Sequence, residues 1–232
     1  MQSFIIPQEV IPLINLYSLK KDNDDFSLIR LCKTAIEKNF ASITVDMNFV
    51  GNVWKWIEHS NVKLVASINM IANMLSPTEL FQNIKSVFEN GADIVEVVMP
   101  LLFSNIDEEK PSDIIKEYLD IITEAKSFKQ AKITFETGFI PYVSQIKYLT
   151  QLIQKHNIDI IKTASSFYEK ASTINHFNLI LNNIKNINTK IDFLFDVKSC
   201  NKFIISDAYR LVEKSPISER KPLIVSYPIE CL

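Results

Sequence analysis

Short runs rich in Val, Ile and aromatic residues alternate along the whole chain with longer segments in which apolar residues recur every three to four positions. The runs predict eight strands, at residues 11–16, 41–46, 62–69, 93–98, 131–136, 158–163, 191–196 and 222–226. Helical spacing between them predicts seven helices, at about 24–39, 50–59, 77–90, 111–127, 141–155, 172–186 and 201–214. Ser76-Pro77-Thr78-Glu79 offers a cap followed by Pro at the first helical position, Pro111-Ser112-Asp113 opens the next helix, and Asn90-Gly91 is a C-terminal stop. The Asn-rich stretch 175–188 keeps an apolar stripe (Phe177, Ile180, Leu181, Ile184) and reads as a helix.

Strands that alternate with helices demand parallel pairing and right-handed crossovers. Eight such units in 232 residues predict an α/β protein with a (β/α)8 TIM barrel, ahead of an open doubly wound sheet. No linker or shift in composition divides the chain, so residues 1–232 are expected to form a single domain. Only residues 227–232 follow the eighth strand, which predicts a truncated or missing last helix. The flank left open is then exposed or covered by a second copy of the chain in a homo-oligomer.

Composition narrows the function. Lys and Arg total 25 against 27 Asp and Glu, a formal charge of −2, which gives no support to a nucleic-acid partner. Cys32, Cys200 and Cys231 are scattered, without the spacing of a disulfide framework or a zinc site. The N-terminal segment lacks a basic region and is interrupted by Pro7 and Pro12, and no apolar run approaches a membrane span, so a soluble cytoplasmic protein is expected. The chain has 3 glycines, where average usage of about 7% would give roughly 16. Glycine-built phosphate loops have little to be made from, GxGxxG is absent, and no cofactor or metal is expected.

In a TIM barrel the loops after the strands converge on one mouth, where chemistry gathers, while the opposite end serves stability. Lys63, Lys132 and Lys190 stand at strand starts and are expected to be solvated charges at the foot of the barrel. Lys162 differs, because it follows Ile158-Asp159-Ile160-Ile161 at the end of the sixth strand. If it shares the inward face with Ile160, its amine enters a partly apolar mouth, where desolvation favours the uncharged form that attacks a carbonyl. The competing readings are an amine that snorkels out of the rim or pairs with Glu96 or Glu136.

Ile160-Ile161-Lys162-Thr163-Ala164-Ser165 resembles the Schiff-base strand of the deoxyribose-phosphate aldolases, usually of the type Phe-Ile-Lys-Thr-Ser-Thr-Gly. Residues 13–19 (LINLYSL), an acidic run and Leu28-Ile29-Arg30-Leu31-Cys32 look like that family's first strand and helix. Residues 91–100 (GADIVEVVMP) are similar to its fourth strand, typically GADEIDVV, and residues 132–138 (KITFETG) to its fifth, KVIIETG. The blocks keep the family's order from about residue 11 to 227. The resemblance implies a class I aldolase without metal, acting on a small aldehyde or phosphosugar. Its reaction would be the reversible cleavage of 2-deoxyribose 5-phosphate, or a related aldol, to glyceraldehyde 3-phosphate and acetaldehyde. Lys162 would be the imine-forming lysine. Cleavage beside a carbonyl also needs groups that move protons, and the family supplies an Asp on strand four and a second Lys at the end of strand seven.

Several family positions differ. Glu96 stands for the strand-four Asp and is the expected proton shuttle, its carboxylate displaced by about 1.5 Å through the added methylene. Leu194 falls where the second lysine belongs, and Lys198, four residues on, is a candidate to replace it. The glycines that build the family's phosphate site after strands six, seven and eight give way to Ser166-Phe167, Val197-Lys198-Ser199 and Ile224-Val225-Ser226. Ser165, Lys198, Ser199 and Ser226 are candidates to bind an anion through their side chains, while Phe167 is expected to narrow the mouth or favour a less polar tail. Asn15, Thr44 and Asn69 complete the expected substrate-binding set; Asn15 replaces an Asp and Thr44 a Cys. His59, His156 and His176 lie on helices and receive no role. The alternative reading is a barrel of the same descent, impaired in catalysis, that binds a carbonyl metabolite or a partner protein.

Overall fold

Asp24 accepts a hydrogen bond from the amide of Ser27 at 2.8 Å, and Ser76 and Glu79 cap each other reciprocally, so α1 (Asp25–Glu37) and α3 (Pro77–Glu89) begin where side chains satisfy their first free amides. The computed structural model describes residues 8–19, 23–69, 74–100, 113–125, 127–165, 167, 172–185, 189–194, 209–214 and 223–229. The remaining described helices are α2 (Val50–Ile57), α4 (Asp113–Ala125), α5 (Val143–Lys155) and α6 (Ile174–Asn183), with a further helical stretch at 209–213. Three helices stop on a left-handed residue: Asn39 after α1 and Asn157 after α5, each with φ 54°, and Gly91 after α3 with φ 105°. Asparagine thus fills two turns in which glycine is the commoner choice. At Gly91 no side chain fits, because a Cβ there would lie 2.3 Å from Cδ1 of Trp54.

The strands are β1 (Ile14–Ser18), β2 (Ser42–Asp46), β3 (Lys63–Asn69), β4 (Ile94–Val98), β5 (Gln130–Thr134), β6 (Ile160–Lys162), β7 (Lys190–Leu194) and β8 (Leu223–Pro228). All pair in parallel with their sequence neighbours, and β1 pairs with β8 to close the eight-stranded barrel, the (β/α)8 architecture expected from the alternation. The first strand starts later than expected, since Ile11–Leu13 forms a 3-10 turn whose Pro12 has no amide to give to a ladder. The fifth ends earlier, with Phe135 and Glu136 leaving the ladder for a 3-10 turn at Thr137–Phe139. No described helix is long and apolar enough to cross a membrane.

Side chains alternate across the barrel wall. Outward residues such as Leu16, Ile43, Val95, Val97, Ile133 and Phe193 join the helices in one continuous apolar core. Inside, Val65, Ile94 and Ile160 pack with Ile224 as an apolar floor. Above that floor the inward positions turn polar: Asn15, Lys132 and Asp192, then Thr44, Glu96, Lys162 and Ser226, all buried. Tyr17, Leu19, Ala164 and Leu194, with Phe167 against them, form a second apolar cluster at the C-terminal ends of the strands. The polar tiers therefore lie between two apolar ones.

Candidate active site

Glu96 and Lys132 are register partners on β4 and β5, as are Thr134 and Lys162 on β5 and β6, and Lys162 and Asp192 on β6 and β7. Four adjacent strands thereby bring two lysines and two carboxylates into one chain of contacts. Lys162 Nζ donates to Glu96 Oε1 at 2.9 Å, and the same oxygen accepts from Thr134 Oγ1 at 2.9 Å. Glu96 Oε2 lies 3.6 Å from Lys132 Nζ, which donates to Asp192 Oδ2 at 2.5 Å. Glu96, Lys162 and Asp192 are 0% exposed and Lys132 is 1% exposed, so the cluster is held out of bulk water and its alternating charges must balance one another.

The electrostatics follow from that balance. Burial pushes the Glu96 carboxyl up, but the charges of Lys162 and Lys132, with hydrogen bonds from Lys162 and Thr134, prevail and hold it below the usual carboxylate range. Burial pushes the Lys132 ammonium down, and Asp192 and Glu96 outweigh it and raise it above its ordinary value. Glu136, just past β5, is 2% exposed; burial lifts its carboxyl, although its Oε1 accepts the amide of Ser165 at 2.9 Å. Lys162 Nζ also stands 5.4 Å from the centroid of the Tyr17 ring, near enough for the ring face to stabilise an ammonium or iminium.

The structure joins Lys162 and Glu96, the two residues expected to carry the chemistry. It corrects the expectation for Lys132, which is not a solvated charge at the foot of the barrel but part of the buried network; Lys63 and Lys190 are exposed. The reason is that β5 begins at Gln130, which sets Lys132 one residue deeper than a strand start at 131 and on the inward face. A signal was present: Lys132, Thr134 and Glu136 alternate with Ala131, Ile133 and Phe135, which is a polar inner face and not a lone charge at a strand end. Asp192 carries the same signal on the inward face of β7, alternating with Ile191 and Phe193.

Asn15, Thr44 and Ser226 also come together, but on one another. Asn15 Nδ2 donates to Ser226 Oγ at 2.9 Å, and Asn15 Oδ1 accepts from Ser42 Oγ at 2.7 Å and Thr44 Oγ1 at 3.0 Å. Ser165 sits past the end of β6, its amide on Glu136 and its Oγ accepting the amide of Phe167 at 3.2 Å. Leu194 packs among Tyr17, Ala164 and Phe167 and so brings no cation of its own to the position of the family's second lysine. Asn69 ends β3, with its side chain outside the described residues; Lys198 and Ser199 lie wholly outside them. A cavity of about 770 Å³ opens at the opposite end of the barrel, beneath the apolar floor, lined by residues such as Pro12, Lys63, Ile160 and Lys190, and holds none of the buried charges.

No family model matches the chain. The deoxyribose-phosphate aldolase of Clostridium perfringens is 28% identical over 171 residues, 72% of this chain and 73% of that protein. That of Mycoplasmoides pirum is 23% identical over 179 residues, 75% of this chain and 76% of the relative. Among solved structures, the tetrameric deoxyribose phosphate aldolase of Aeropyrum pernix superposes with a TM-score of 0.73 at 17% identity, over 95% of this chain and 87% of that one. The superposition carries the barrel fold alone. The sequence similarity, over about three quarters of the chain, is to deoxyribose-phosphate aldolases.

Proposed function

We propose that the protein is a class I aldolase in which Lys162 forms an imine with an aldehyde substrate and Glu96 moves the protons, with 2-deoxyribose 5-phosphate or a related aldol as substrate. The observation that carries this reading is the fully buried Lys162 Nζ held 2.9 Å from Glu96 Oε1 at the C-terminal end of β6. Transfer of the ammonium proton to Glu96 frees the amine for attack on the carbonyl carbon. The carbinolamine formed loses its hydroxyl as water, using that proton, and leaves a protonated imine. The carbon–carbon bond adjacent to the imine carbon's neighbour then breaks; its electrons form an enamine, the proton of the departing carbon's hydroxyl goes to Glu96, and that carbon leaves as an aldehyde. Glu96 returns the proton to the enamine carbon, and water releases the second aldehyde and the free lysine. Ser165, together with Lys198, Ser199 and Asn69, is assigned to the substrate's polar groups.

The test is reductive trapping with acetaldehyde and cyanoborohydride, followed by peptide mapping. An ethyl adduct on Lys162, lost in Lys162→Ala, is expected. A folded protein with no adduct at Lys162 overturns the proposal and favours the non-catalytic alternative, for which Leu194 at the expected second-lysine position is the supporting observation.

A further inference from the structure

Asp192 is a buried carboxylate with no place in the mechanism above. It is 0% exposed, and its Oδ2 accepts from Lys132 Nζ at 2.5 Å, while Lys132 keeps a longer 3.6 Å approach to Glu96 Oε2. An aspartate inside an apolar barrel is costly unless a partner and a purpose hold it there. Its position suggests the purpose. Lys162 and Lys132 both face the single carboxylate of Glu96, and without Asp192 the three groups carry one excess positive charge. Lys132 would then turn fully onto Glu96 and compete with Lys162 for it.

We propose that Asp192 is a positioning residue that draws Lys132 across β5 to β7, leaving Glu96 Oε1 to Lys162 and setting the charge balance against which Lys162 loses its proton. The proposal rests on the reading of Lys162 as the imine-forming lysine. Among the described residues, the titratable groups around the cluster are Tyr17 on β1, Glu96 on β4, Lys132 on β5, Glu136 just past it, and Lys162 on β6. Of these, only Lys132 makes an ion pair with Asp192.

The experiment is the pH dependence of acetaldehyde trapping at Lys162, with cyanoborohydride as reductant and the fraction of folded protein followed by circular dichroism. In Asp192→Asn the cluster gains net positive charge, so proton loss becomes easier and the acid limb of trapping moves to lower pH. A unit charge removed from the neighbouring strand, in a medium of effective dielectric about 20, shifts that limb by roughly one pH unit. Lys132→Gln moves it the opposite way by a similar amount. The double variant Lys132→Gln/Asp192→Asn returns it to within about half a unit of the parent, and removing both partners together is the gentler change for a buried pair. A residue that only supports the fold would change how much protein traps, not the pH at which it does so.

A folded Asp192→Asn protein whose limb coincides with the parent's overturns the proposal. If Asp192→Asn does not fold, the double variant decides: a limb restored towards the parent upholds the proposal, and one that coincides with Lys132→Gln alone overturns it. Absence of any Lys162 adduct in the parent overturns the aldolase reading and this inference with it, whereas an adduct in the parent with immobile limbs in the variants removes only the role of Asp192.

Discussion

Glu96→Gln is the most informative single change, because Glu96 touches both lysines and is itself 0% exposed. Glutamine keeps the shape and one acceptor oxygen for Lys162 Nζ and Thr134 Oγ1, but the charge is gone. Two buried ammonium groups are left with one ion-paired carboxylate among the described residues, Asp192 on Lys132. Removing one member of a buried ion pair costs about 3–5 kcal/mol, and the retained acceptor places this case at the lower end, about 3 kcal/mol at neutral pH. The cost should depend on pH in a way that a packing defect does not. In the parent, the depressed Glu96 carboxyl contributes stability above the unfolded carboxylate value that is lost as pH falls through the folded one, so the parent approaches the variant in acid. In the variant, an under-compensated ammonium sheds its proton more readily when folded than when unfolded. Its stability then rises with pH by up to about 1.4 kcal/mol per unit until the unfolded lysines also discharge near pH 10.4. The deficit should therefore be greatest near neutral pH and narrow on both sides. Urea denaturation of both proteins at intervals from about pH 4 to 10 measures it. A deficit below about 0.5 kcal/mol at neutral pH, or one that does not change across the range, refutes the electrostatic account of the cluster. On the proposed assignment of Glu96 as the proton shuttle, aldol turnover should also fall about a hundred- to ten-thousand-fold.

Two further outcomes test other parts of the structure. Glu136→Gln keeps the acceptor for the Ser165 amide but cannot ionise; because burial raises the Glu136 carboxyl, the parent has stability at acid pH that is lost as pH rises through the raised value, so the variant should gain on the parent across that window, and parallel urea-denaturation curves would count against it. Gly91→Ala must take up a φ of 105° with its Cβ 2.3 Å from Trp54, which should cost roughly 2 kcal/mol or more in urea denaturation; a neutral effect would mean that Trp54 moves freely aside.

Much of this was legible in the sequence. A period of two inside strands and of 3.6 inside helices follows from burial on one face, so eight alternations predicted a closed barrel, and Lys162 could be located by counting along β6. What escaped was the inner wall. A strand of a TIM barrel buries both faces, so a polar inner face does not announce exposure, and a lysine near a strand start reads equally well as solvated or as interior. Lys132 and Asp192 are resolved only by the register that sets them beside Glu96 and Lys162 on neighbouring strands. Asn15, Thr44 and Ser226 illustrate the converse: singly each resembles a group awaiting a substrate, yet strand pairing brings them within reach of one another and satisfies them.

The two ends of the candidate site differ in how they depart from the related aldolases. At the inner end the buried charges balance without a cation at Leu194, through Lys132 on β5, a lysine that the family's KVIIETG block also carries. A cation supplied from a neighbouring strand can meet the electrostatic need even though it arrives from below the carboxylate. At the outer end, Leu194, Tyr17 and Ala164 are buried with Phe167 against them as an apolar cluster beyond Lys162, and the loops that follow lack the glycines from which a backbone anion nest is built. A substrate tail packed on this cluster would gain in proportion to the apolar area it covers, whereas an unpaired phosphate placed against it would lose hydration without recovering hydrogen bonds. On the proposed imine chemistry at Lys162, this outer end favours a related aldol with an uncharged tail over 2-deoxyribose 5-phosphate, and the relative turnover of the two measures it.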